Sequence, residues 1–153
     1  MNKVIADRTV SKILLDIFAT MIHLKLEEVP EGLQIPSPFS GVTANVSVTG
    51  EEHRLIVVLF TSEKLACLIH GAMLDTESTE WNSEVADALG EIVNIVGGNF
   101  KATLAPPSLT LSIPAVIRGK EFDWSAPEVS VIHEESFRVE GEPLIVRIVE
   151  ETH

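Results

Sequence analysis

Apolar and polar positions change period several times along the chain, and each change marks an element. Val10, Ile13, Leu14, Ile17, Met21 and Leu24 recur at helical spacing and predict a first amphipathic helix over about residues 7–27. Val29-Pro30-Glu31-Gly32 breaks that helix, and Pro36 and Pro38 prolong the loop. From Gly41 to Thr49 the pattern alternates, with Val42, Ala44, Val46 and Val48 on one side, which predicts a strand. Gly50-Glu51-Glu52 turns it into a second strand, His53 to Phe60, so the two form an antiparallel hairpin. Thr61-Ser62 suits the cap of a short helix over Glu63–Met73, with Leu65, Leu68, Ile69 and Ala72 facing inward. The acidic stretch Asp75–Glu80 then opens a long central helix, Glu77 and Glu80 suiting its positive N-terminus. After a loop at Pro106-Pro107, Leu109, Leu111 and Ile113 alternate as a strand that runs past Pro114 to Gly119. Lacking a ladder donor, Pro114 belongs at a strand end, bulge or edge. Glu128–Phe137 and Pro143–Glu150 predict a final hairpin around Glu140-Gly141-Glu142.

This order implies an α+β fold of two layers, with three helices packed on a mostly antiparallel sheet. Each half opens with a long amphipathic helix and continues into strands, which suggests a diverged pseudo-twofold internal repeat despite negligible identity between the halves. At 153 residues the chain makes one domain, 1–153, able to bury a core. Its 45% hydrophobic and 22% charged content is that of a folded protein. The formal net charge of −12, from 23 acids against 11 bases with no Lys/Arg cluster, argues against nucleic acid as a partner. The first residues lack the apolar core of a signal peptide, and no apolar run reaches membrane-spanning length. We therefore expect a cytoplasmic protein without membrane insertion. Cys67 is the only cysteine, so no disulfide or cysteine zinc site forms within one chain. It lies outside the apolar stripe of its helix and reads as a bystander.

The candidate chemistry sits on the central helix. At about 100° per residue, Val85, Leu89, Ile92, Val96 and Phe100 fall on one stripe, with Trp81 and Ala88 at its edge. Asp87, Glu91, Asn94 and Gly98 fall within a sector of roughly 60° on the opposite side, flanked by Gly90 and Gly97. An ordinary wet face carries Glu and Lys at i,i+4 spacing. Here a mid-helix Asn and nearby glycines each weaken the helix, a glycine by about 0.5–1 kcal/mol relative to Ala. Low bulk there suits close approach by a partner. The alternative is that Gly97-Gly98 ends the helix and the polar face is simply solvated.

Other chemistries lack their residues. His23, His53, His70, His133 and His153 make no HExxH or other close pair, and the GxSxG elbow, P-loop and GxGxxG fingerprint are absent. A carboxamide and a carboxylate three positions apart on one helix face suit a different task. The carboxamide offers donor and acceptor together and orients a water without changing protonation. The carboxylate pairs with a partner's lysine and sets the docking register. Such a pair makes sense where another protein supplies the metal and the labile bond.

These residues resemble the CheX branch of the CheC/CheX/FliY family of chemotaxis phosphatases. Its pattern places Asp or Ser, Glu and Asn as Asp87, Glu91 and Asn94 stand here, followed by a proline that opens an apolar strand ending in glycine, as in Leu111–Gly119. Pro114 lies a few residues nearer to Asn94 than in the family pattern, which shortens the loop around Pro106-Pro107. The similarity extends back through Leu55–Met73 and loosely to the first helix. Laying the first helix over the central one puts Asp16 opposite Glu91 and Ala19 opposite Asn94, so the first helix lacks the carboxamide and one site is expected. The resemblance implies hydrolysis of the aspartyl phosphate of a CheY-like receiver. In that reaction Asn94 orients the water, Glu91 pairs with the receiver's lysine, and Asp87 and Gly98 border the contact. It places the Mg²⁺ in the receiver, none in this chain, and implies a homodimer. The competing expectation is a non-catalytic docking module that binds a receiver or another signalling protein through the same face.

Overall fold

In the computed structural model three helices lie on one face of a seven-stranded antiparallel sheet. The structure describes residues 5–36, 39–51, 53–104, 109–122 and 129–151. The helices are α1 (Thr9–Ile17), α2 (Glu63–Leu74) and α3 (Ser83–Ala102). The strands are β1 (Glu27–Glu28), β2 (Phe39–Thr49), β3 (Arg54–Thr61), β4 (Thr110–Leu111), β5 (Ala115–Phe122), β6 (Val129–Val139) and β7 (Glu142–Glu151). Alternation sorts the two sheet faces. Val42, Ala44, Val46, Val48, Leu55, Val57, Leu59, Val146 and Ile148 pack with the helices, around Leu14, Leu89, Ile92 and Phe100. A smaller cluster of Phe39, Val58, Phe60 and Ile145, with Leu33 and Ile35, lies apart from that core. Among the described residues no helix is long and apolar enough to cross a membrane.

The strand order is β1-β6-β7-β3-β2, with β4 and β5 both on the far side of β2. The hairpins β2–β3 and β6–β7 meet along a β3–β7 seam. β1 precedes the first hairpin yet pairs with β6 of the second, and β5 precedes the second yet pairs with β2 of the first. The strand pairing therefore reads alike from either edge.

Three elements differ from the sequence expectation. The first helix does not run to residue 27: after Ile17 it widens into a π-helical turn, Phe18–Ile22, closed by His23 N–H donating to Phe18 O at 2.6 Å. The wider turn brings both Phe18 and Ile22 into the core, and His23, in the left-handed region at φ 61°, stops the helix. The acidic stretch does not open α3. Asp75, at φ 52°, closes α2, and Asn82 caps α3 by accepting N–H bonds from Glu84 and Val85 at 2.9 and 3.0 Å. Asn competes better than Glu for the cap because its side-chain oxygen reaches those amides directly. The strand through Pro114 is split into β4 and β5. Between the pairs Val48↔Leu111 and Asn45↔Ala115, residues 112–114 stand opposite only 46 and 47, so Pro114 occupies a bulge. Ser112 holds the bulge to β2, its N–H donating to Ser47 O and its Oγ accepting from Ser47 N–H, both at 2.9 Å. The Pro106-Pro107 loop lies outside the described residues.

The N-terminus of α1 has no cap of its own: Arg8 precedes it in the left-handed region without a side-chain capping bond. Glu135 of β6 does that work from across the molecule. Its Oε2 accepts Val10 N–H at 2.9 Å, and its Oε1 accepts Ser11 N–H at 3.0 Å and Ser11 Oγ–H at 2.6 Å. His133 Nε2 lies 2.6 Å from the same carboxylate. Burial opposes the charge, but His133, the Ser11 hydroxyl and the two amides outweigh it and hold the carboxyl at about 2.

Two predictions follow from this packing. A Cβ at Gly97 would run into Val46 Cγ2, whereas one at Gly90 would meet Pro114 and Val116 at an ordinary 3.6 Å. Chemical denaturation should therefore show Gly97→Ala destabilised by about 1–3 kcal/mol despite its better helix propensity. Gly90→Ala should be unchanged or more stable by up to about 1 kcal/mol. For Glu135 the folded value lies below the ordinary 4.5, so its contribution is complete above that pH and is lost as pH falls towards 2. Glu135→Gln should cost about 1–3 kcal/mol near neutrality. The gap from wild type should close in unfolding curves taken between pH 4.5 and 2.

Candidate functional site

α3 is buried on most of its surface because β2, β3, β5, α1 and α2 all pack against it. The predicted stripe of Val85, Leu89, Ile92, Val96 and Phe100 is fully inside, joined by Val93, Ala88, Gly90 and Gly97. What remains open along its middle is one strip, at Glu84, Asp87, Glu91 and Asn94. The helix does not end at Gly97-Gly98 but continues to Ala102. The glycines serve the chain's own packing: Gly97 lets α3 close on Val46 of β2, and Gly90 faces Pro114 and Val116. The low bulk attributed above to a partner is occupied by the sheet.

Asp87, Glu91 and Asn94 line a shallow groove of about 320 Å³, floored by Ala86 and Gly90 and walled by Pro114 and Val116. The wall is held in place from two directions. Ser112 fastens the bulge to β2, and farther along β5 the Arg118 guanidinium lies 5.5 Å from the Trp81 ring and donates to Glu63 of α2 at 3.3 Å. Gly98 is half-buried one turn beyond Asn94, beside Leu111, and does not line the groove. The Asp87, Glu91 and Asn94 side chains make no hydrogen bond or ion pair with any other described residue. Three polar groups thus stand exposed on a rigid helix, free to engage something else. The carboxamide has both a donor and an acceptor to offer, and the carboxylates only acceptors.

A second cluster of polar groups is internally paired. A larger depression of about 480 Å³ includes Arg8, Glu28, His133 and Glu135. There Arg8 donates twice to Glu28, at 2.9 and 3.0 Å, and His133 pairs with Glu135. Cys67 is buried, which together with the Glu63 carboxylate pushes its thiol up and away from nucleophilic use. Among the described residues no three His, Cys, Asp or Glu side chains converge as metal ligands. On α1, Asp16 and Ala19 are exposed, but Ala19 falls in the π turn and offers no polar group. Sequence reasoning missed His70, Leu74 and Glu84, which form a second groove beside Asp87 and Glu91. The signal was present in the α2 sequence, where Leu74 and His70 stand one turn apart at the end that meets α3.

Comparison with known proteins agrees with the fold. Residues 42–136, more than half the chain, match the family model described as Chemotaxis phosphatase CheX. None of the curated proteins compared with the chain matches it. Among solved structures, the chemotaxis protein CheX from Vibrio vulnificus is 24% identical with a TM-score of 0.79, over 99% of this chain and 100% of that one. A chemotactic CheC-like protein from Shewanella oneidensis MR-1 is 23% identical with a TM-score of 0.71, over 95% and 97%. The CheX-CheY-BeF3-Mg complex from Borrelia burgdorferi matches at 18% identity and a TM-score of 0.73, over 97% and 99%.

Proposed function

The chain belongs to the CheX family of chemotaxis phosphatases, and we propose from that premise that it hydrolyses the aspartyl phosphate of a CheY-like response regulator, ending its signal. The observation that carries this reading is the pair of unpartnered, exposed Glu91 and Asn94 side chains on the one open strip of α3. A relative of the same fold forms a complex with CheY, beryllofluoride and magnesium, which supports a receiver as the partner. Asn94 enters the receiver's active site. Its carbonyl accepts a hydrogen bond from the attacking water and aligns it behind phosphorus, opposite the aspartyl oxygen. The new P–O bond forms as the acyl P–O bond breaks, giving inorganic phosphate and the free aspartate. Positioning, rather than proton transfer, is the contribution of the carboxamide.

Glu91 pairs with the receiver's active-site lysine and sets the register, while Asp87 and Gly98 border the contact. The Mg²⁺ belongs to the receiver, and this chain contributes no metal ligand. Both proteins work in the cytoplasm. A homodimer completes the reading: β5 lies at the sheet edge, and Ile117, 52% exposed, and Ile113, 89% exposed, offer apolar surface there for a second copy.

Decay of the aspartyl phosphate should be followed on each co-encoded receiver with Mg²⁺ present. Wild type should accelerate it, Asn94→Ala should lower the rate by about 100-fold with binding retained, and Glu91→Ala should weaken binding. Unchanged decay despite measurable binding would leave a docking module instead. Light scattering should give twice the 16.7 kDa chain mass, and Ile113→Glu with Ile117→Glu should reduce it to one.

A further inference from the structure

The groove between α2 and α3 has a composition that the reaction above does not use. It holds about 220 Å³ and is lined by His70, Met73 and Leu74 of α2 and by Glu84, Asp87 and Glu91 of α3. Asp87 and Glu91 also line the Asn94 groove, so the two are continuous. Leu74 is 60% exposed, an apolar shelf beside three exposed carboxylates. Behind them stands a buried imidazole, its side chain only 8% exposed. His70 Nδ1 lies 2.8 Å from Ser78 Oγ, but Nε2 is buried with no hydrogen-bond partner, 3.8 Å from Glu84 Oε2. A buried polar atom left unpaired is costly, and Glu84 is the group placed to relieve it.

We propose that this groove is a second docking point for the receiver and takes a lysine or arginine side chain from the receiver's surface; the inference rests on the receiver-phosphatase reading above. The aliphatic stem lies along Leu74 and Met73 while the charged head meets Glu84 and Asp87. Glu84 is seven residues from Glu91, about 10 Å along the helix axis, so this cation is distinct from the active-site lysine that Glu91 takes. With Ser78 Oγ–H donating to Nδ1, Nε2–H donates to Glu84 once the carboxylate closes the remaining gap. One carboxylate oxygen is then fixed by His70 and the other is presented to the cation. An anionic side chain is repelled from this site.

The test titrates Mg²⁺- and beryllofluoride-loaded co-encoded receivers into wild type, Glu84→Lys, Leu74→Ala and a charge control, Glu31→Lys. Glu84→Lys should weaken binding about tenfold or more and flatten its dependence on salt. Leu74→Ala should weaken it about threefold and Glu31→Lys less than twofold. Turnover at saturating receiver should match wild type in all three. All three positions are exposed on the surface, so the variants should unfold cooperatively, Leu74→Ala and Glu31→Lys close to wild type and Glu84→Lys at a lower denaturant concentration for its charge at the N-terminus of α3. Wild-type affinity in Glu84→Lys, with Asn94→Ala still inactive, would overturn this inference and leave the phosphatase reading intact. Failure of wild type to bind or dephosphorylate any co-encoded receiver would overturn both.

Discussion

The approach of α3 to β2 is the contact on which the rest of the site depends. Gly97 over Val46 allows the helix to lie so close to the sheet that α1, α2 and β5 can all close around it. A helix buried on most of its surface has one strip left, at Glu84, Asp87, Glu91 and Asn94. The same closeness sets the depth of the groove, because Pro114 and Val116 meet the helix at Gly90. Asn94 therefore projects from a surface whose height and tilt are determined by packing rather than by its own rotamer alone. In the proposed reaction, where Asn94 places a water, rigidity of the platform matters more than acidity or nucleophilicity.

Much of this was legible in the chain itself, and the part that was not has a common cause. The apolar stripe of α3 and the outward direction of Asp87, Glu91 and Asn94 follow from a period of 3.6 residues, which is local information. The alternation of β2 and β3 and the Glu140-Gly141 turn, with φ of 52° and 78°, are local as well. The glycines were assigned the right property, low bulk, and the wrong neighbour. Nothing within α3 says whether a partner or the chain's own sheet occupies the space. The cap on α1 comes from a residue 124 to 125 positions away, and the bulge is held by a serine 65 positions from its partner. Periodicity carries no trace of such links. The π turn shows the same limit from another side: Phe18 and Ile22 needed burial, and the helix changed its pitch to provide it.

Helices α1 and α3 solve the problem of their positive ends differently. α3 is capped by its own Asn82, which leaves Glu84 pointing outward into the second groove. α1 borrows Glu135 from β6, and that carboxylate is consumed by the helix, by Ser11 and by His133. One helix end is thus committed to stability and the other leaves its carboxylate exposed.

The exchange of first strands between the halves bears on which parts of the chain the site can do without. The wall of the Asn94 groove comes from β5, but β5 hangs on β2, a strand of the half whose helix has Ala19 in place of the carboxamide. β1 likewise lies beside β6 of the half that does. In a sheet clasped in this manner, neither half is spare. The half whose helix lacks the carboxamide cannot be discarded, since the Asn94 groove leans on its sheet. It serves as the mould in which the other half is held.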